Sequence, residues 1–192
     1  MVQDEKLSLP SNWEKILEQM MIRRPIGTRC GRTYICSPCR ADSPDGVIRN
    51  MMAARVYMFY AHQYFPGAPV APHAYLPVLL NDDYEDEREL ALEAGIRFLG
   101  GCGKLLVCGN RLSDGMYGEI MAAAIRKIPV QVFNKEVYDR LSERLSYESA
   151  DPGLQRYPQY EKDHLHYALS MGADDLAPYW EEAKTWYAAS KS

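Results

Sequence analysis

The chain has 192 residues, 47% of them apolar and 25% charged, with a net charge of −4 at neutral pH. That suits one globular domain with extensions, and the acidic balance leaves no basic footprint for duplex nucleic acid. No run of about 18 apolar residues and no signal-peptide core occurs, so neither a membrane association nor export is expected, and a cytoplasmic location is predicted.

Three regions follow in chain order. Residues 1–30 read as a helical arm: Ser11 suits an N-cap, and Trp13, Ile16, Leu17, Met20 and Met21 form a helical stripe. Arg23-Arg24-Pro25-Ile26-Gly27 breaks it. Residues 31–147 alternate strand and helix signals. Thr33–Cys36 is a short apolar strand ending in Ser37-Pro38. The helix after it carries Val47, Met51, Ala54, Met58, Ala61 and Phe65 on one face, and Pro66-Gly67 stops it. Ala68–Ala71 is a second strand ending at Pro72-His73, followed by a charged helix, Tyr84–Leu99, with Leu92, Ile96 and Leu99 on one side. Leu105–Cys108 is the third strand, and the next helix begins near Gly115. Pro129–Phe133 is the fourth, followed by a helix with Val137, Leu141 and Leu145 inward. Continuous apolar strands alternating with helices imply a parallel sheet covered on both faces, a three-layer α/β sandwich. Residues 148–192 read as a polar linker (Asp151-Pro152-Gly153, Tyr157-Pro158) and a helical tail. In that tail Leu176, Tyr179, Trp180, Ala183 and Tyr187 share helical spacing, as a face packed on the core or on a partner subunit would.

An odd count of five cysteines fits a reducing compartment better than a complete disulfide framework. Cys36, Cys102 and Cys108 lie in or beside apolar stretches, where a thiol behaves as a small hydrophobe. Cys36 and Cys39 form a CxxC, but no second pair follows at ribbon spacing and the first cysteine lies in a strand. Neither a metal nor a cofactor is expected.

The chemistry concentrates in Ser113-Asp114-Gly115-Met116-Tyr117-Gly118-Glu119, between the apolar run Lys104–Gly109 and the small-residue helix Ile120–Ala124. Such a strand–turn–helix junction lies at the carboxyl edge of a parallel sheet, where ligands bind. The positive end of the helix is expected to favour an ionised Glu119, which is then available as a nucleophile. The plainer reading is a glutamate that only complements the helix dipole. Three strand ends converge on this edge: the first brings Ser37, Pro38 and Arg40, the second His73, the third Asn110 and Ser113. His73 also suits a core or turn residue, Ser113 an N-cap-region serine and Arg40 a solvated loop residue. Neither GxGxxG nor GxxxxGK[ST] occurs, which sets aside dinucleotide and Walker phosphate loops.

Together, Tyr34-Ile35-Cys36-Ser37-Pro38-Cys39-Arg40, Pro72-His73 and Ser113-x-Gly115-Met116-x-x-Glu119, with Ala123 and Pro129-Val130, resemble the nucleoside 2-deoxyribosyltransferase superfamily over about residues 32–134. The likeness is to a phage and bacterial branch of uncharacterised proteins, and the pattern is also similar to that of 2′-deoxynucleoside 5′-monophosphate N-glycosidases. It implies a flavodoxin-like Rossmann sandwich with a parallel sheet of four to five strands, plus the helical arm and tail. It also implies a homodimer or higher homo-oligomer. By that resemblance Glu119 attacks the anomeric carbon and forms a glycosyl-enzyme ester, with Tyr34 near the carboxylate. Ser113 and Arg40 hold a 5′-phosphate. Ser37, His73 and Met116 join the substrate-binding residues, and Gly115 lets the backbone approach the ligand. An aspartate usual in the family is replaced at Cys102-Gly103-Lys104. Asp82, Asp83 and Glu87 are candidates to protonate the leaving base, Asp83 being the choice; alternatively they form an acidic helix start.

The expected activity is N-glycosidic cleavage of, or deoxyribosyl transfer from, a nucleoside or its 5′-monophosphate. A carboxylate beneath the anomeric carbon stabilises the oxocarbenium-like state and then traps it, as in retaining glycoside hydrolysis. A non-catalytic nucleotide sensor or sponge is the alternative, and NAD or ADP-ribose glycosidic chemistry a weaker one.

Overall fold

The computed structural model describes residues 31–65, 67–81, 83–146, 153–156 and 168–189. The expected N-terminal helix lies outside them, as does most of the segment expected around residues 160–171. In chain order the elements are β1 (Arg32–Cys36), α1 (Pro44–Tyr64), β2 (Ala68–Val70), two short 3-10 turns (Pro72–Ala74 and Leu76–Val78), α2 (Glu85–Gly100), β3 (Lys104–Val107), α3 (Asp114–Ile125), β4 (Val130–Val132), α4 (Lys135–Ser146), β5 (Leu154–Arg156), a third 3-10 turn (Ala173–Leu176) and α5 (Ala177–Ala189). No helix among the described residues is long and apolar enough to cross a membrane.

The five strands form one parallel sheet in the order β2-β1-β3-β4-β5. Tyr34 pairs with Val70 on one side and Leu105 on the other, and Cys36 with Val107. In this doubly wound order the connections diverge between β1 and β3, which opens a crevice beyond their carboxyl ends. Alternate residues of each strand serve different layers. Ile35 and Leu106 pack beneath α1 and the tail, with Ala54, Tyr57, Leu169 and Leu176. Tyr34, Cys36, Leu105 and Val107 face α2, α3 and α4, with Leu99, Ile120, Ala123 and Leu141. The molecule is thus a three-layer, Rossmann-like α/β sandwich. Strands sealed on both faces explain why β3 is apolar and buried from Leu105 to Val107.

Two features differ from expectation. The short strand β5 lies within the presumed linker and pairs in parallel with β4. Its sequence Leu-Gln-Arg is mostly polar because an edge strand is held by its backbone and needs no buried side-chain row. Leu92, expected inward on α2, is exposed. The first half of that helix packs instead on Leu76 and Leu80 through Leu90, Ala91 and Ala94, which turns Leu92 outward. The described tail packs on the core, one of the two packings its helical spacing allowed. Ala168, Leu169, Leu176 and Ala183 are buried against α1, and Tyr179 and Trp180 pack beside them. This cover explains why α1 buries Tyr57, Phe59 and Tyr60 besides the Met51–Ala54–Ala61 stripe.

Candidate functional site

β1 and α3 build the centre of the site. Ser113 caps α3: its Oγ accepts from the Met116 N–H at 3.3 Å, so the helix starts at Asp114 and Glu119 falls in the second turn. From there the half-buried Glu119 side chain reaches the sheet, and Tyr34 donates its phenolic hydrogen to Oε1 at 2.6 Å. Strand alternation puts Cys36 on the same face as Tyr34, and its thiol lies near enough to the carboxylate to favour the ionised form. Cys36 also contacts the Met116 carbonyl, with Sγ 3.8 Å from the oxygen. Among the described residues no cation pairs with Glu119.

The electrostatics follow from this enclosure. Burial raises the Glu119 pKa from an ordinary 4.5 to about 7, and the hydrogen bond from Tyr34 and the nearby Cys36 thiol pull in the opposite direction without prevailing. The expectation that the helix N-terminus would favour the ionised form is corrected here. The dipole acts mainly within the first turn, whereas Glu119 lies one turn further on, where desolvation dominates. Burial, and then the neighbouring carboxylate, hold Tyr34 well above the usual phenol range, so it stays a donor; Cys36 is held up by the same two causes in the same order.

A second pair forms beside the first. Ser37 Oγ lies 2.7 Å from His73 Nε2 and ties the end of β1 to the turn after β2. Burial lowers the His73 pKa from 6.5 to about 4, which keeps the imidazole neutral near pH 7. The β1–α1 loop is fixed by buried Asn50, whose Nδ2 donates to the Cys39 carbonyl at 2.8 Å and to that of Arg40 at 3.3 Å. Arg111 donates to the same Arg40 carbonyl at 3.0 Å, and the Arg40 side chain is exposed.

The remaining residues divide between edge and interior. Gly115 is exposed at the start of α3, and a β-carbon there would come no nearer than 4.0 Å to Ser113 Oγ. Met116, expected against the substrate, is instead 2% exposed within the core facing β1 and β3, because its place in the first turn of α3 points inward. Asp83 is exposed just before α2, its N–H held by Asn81 Oδ1 at 3.0 Å. Glu87 is buried and accepts from the Asn81 N–H at 2.6 Å, a local tie at the start of α2. Asp82 lies outside the described residues.

A cleft of about 180 Å³ opens at the β1/β3 divergence on the α1 side. Pro38, Arg49, Asn50, Tyr57, Asn110 and Arg111 are among the residues around it, and residues 172–175 of the tail close it. Glu119 does not line it. Gly109 turns with φ +93° at its floor, where a β-carbon would meet Pro38 Cδ at 3.2 Å. Asn50, Arg111 and Gly95 escaped sequence reasoning. Of these only Gly95 left a local signal, a glycine inside a helical pattern.

A family model, that of a domain of unknown function (DUF7768), matches residues 32–133, from the first strand to just past the fourth. No curated protein matches the chain.

Proposed function

The chain belongs to the DUF7768 family, whose description carries no activity, and from the site itself we propose that it breaks the N-glycosidic bond of a nucleoside or nucleoside 5′-monophosphate with Glu119 as nucleophile. One observation carries the reading: a half-buried carboxylate with no cationic partner among the described residues, aimed by a 2.6 Å hydrogen bond from Tyr34. Ion pairing would quench such a group. Left unpaired in a medium of low dielectric, it attracts positive charge more strongly than it would in water.

The proposed reaction uses that charge twice. As the base departs with the electrons of the C1′–N bond, the sugar becomes cationic and the ionised Glu119 stabilises it. A carboxylate oxygen then bonds to C1′, giving a glycosyl ester. The base takes a proton at the open edge of the sheet; Asp83, exposed before α2, is the candidate donor. Water breaking the ester completes hydrolysis, and a second base in its place completes transfer. Tyr34 keeps its proton throughout and holds the carboxylate in orientation. Arg40, on a loop fixed through its carbonyl, is free at its exposed side chain to meet a 5′-phosphate in bidentate fashion.

The test is a panel of nucleosides and 5′-monophosphates with free base followed by chromatography. Base release by the wild-type chain, lost in Glu119→Ala, is expected. Release undiminished in that variant would overturn the assignment. A binding module without turnover is the second reading, favoured by the cleft at the β1/β3 divergence that Glu119 does not line. For that reading calorimetry would show a nucleotide bound and left intact.

A further inference from the structure

Gly95 lies in the interior of α2, where glycine costs about 1 kcal/mol relative to alanine. Local helix stability therefore does not account for it. Its surroundings do. The residue is buried, and a β-carbon at position 95 would lie 3.2 Å from Tyr34 Oη and 3.4 Å from Glu119 Oε1. Both distances are at or below the close limit of ordinary contact, and both run to the two oxygens joined by the 2.6 Å hydrogen bond. The helix backbone thus passes directly over the pair, and a side chain there would press on the carboxylate.

We propose that Gly95 is a positioning residue: by lacking a side chain it lets α2 close over Tyr34 and Glu119 while leaving the carboxylate its hydrogen bond and its remaining access. The proposal takes Glu119 as the working group of the site and so rests on the function proposed above. The other groups facing Glu119 are Tyr34 and Cys36 from β1, with Cys102 behind Tyr34. In this contact α2 contributes no titratable side chain, only the Gly95 backbone. A methyl group at position 95 replaces space beside the carboxylate with hydrocarbon, which disfavours the charged form. A hydroxyl there adds a donor, which favours it.

The experiment is a titration of the Glu119 side-chain carbonyl by NMR on the full chain labelled at glutamate, in wild type, Gly95→Ala and Gly95→Ser. Gly100→Ala, at the end of the same helix, serves as control; a β-carbon there comes no nearer than 3.8 Å to another side chain. The expected midpoint rises by about half a pH unit or more in Gly95→Ala, returns toward or below the wild-type value in Gly95→Ser, and stays put in Gly100→Ala. An unchanged midpoint in Gly95→Ala, or equal shifts in the alanine and serine variants, would overturn the proposal. Should Gly95→Ala fail to fold, Tyr34→Phe, which deletes the oxygen 3.2 Å away, decides the matter. The double variant folding where the single does not supports the crowding, and both failing alike refutes it. The titration reads Gly95 whether or not base is released, so loss of the proposed activity and loss of this assignment are told apart.

Discussion

At the scale of single residues, the proposed chemistry turns on Glu119 and Tyr34. A carboxylate with a pKa of about 7 is half ionised at neutral pH, and in the proposed reaction only the ionised form attacks. Base release is therefore expected to rise with pH through about 7 and level off above it, as a pH–rate profile would record. Tyr34→Phe removes a hydrogen bond to a charged group, worth roughly 1.5–3 kcal/mol, which corresponds to about one to two pKa units. The profile should move to higher pH by that amount, and an unmoved profile would show that the phenol does not tune the carboxylate. Glu119→Gln keeps the shape but loses the proposed nucleophile, and turnover should fall by about a thousandfold or more in initial-rate assays.

At the scale of elements, the tail behaves as a structural strap. Three consecutive tail carbonyls are held by groups at the sheet's carboxyl edge: Leu169 by the Gly109 N–H at 2.9 Å, Ser170 by Asn134 Nδ2 at 3.0 Å and Met171 by Tyr57 Oη at 2.6 Å. Leu176 beneath it is fully buried. Leu176→Ala is accordingly expected to cost about 2–5 kcal/mol, as large-to-small core changes do, and to lower the urea midpoint. A detachable lid would lose far less, so a shift below about 0.5 kcal/mol would return the tail to a peripheral role.

Across the whole molecule, two buried groups oppose one another in the dependence of stability on pH. The folded chain keeps a proton on Glu119 that the unfolded chain releases between about 4.5 and 7, so that contribution is lost as pH rises. His73 behaves oppositely. Its folded pKa of about 4 lies below the ordinary 6.5, so its contribution is present above 6.5 and is lost as pH falls toward 4. Over the shared window the two slopes cancel in the wild-type chain. Thermal melts of Glu119→Gln should then show stability rising with pH between 4 and 6.5. A flat response in that variant would show that the imidazole is not buried neutral. The expected homodimer is a property of the same scale, and light scattering that gives a clean monomer would remove it.

Periodicity in the chain was enough for the layered architecture. Uninterrupted apolar strands such as Leu105-Leu106-Val107 have to be sealed on both sides, and the helices between them carry apolar faces to do so. The strand-to-helix junction before Glu119 was legible in Ser113, which caps the helix from Asp114, whereas Gly115 and Gly118 form no turn and lie within that helix. Folding alone decided what surrounds the carboxylate. Its hydrogen bond spans 85 positions to Tyr34, and the gap beside it comes from Gly95 on a third element. Desolvation depends on atoms brought together across the whole chain, so no reading of neighbours along it reveals that Glu119 lies in surroundings that oppose its charge.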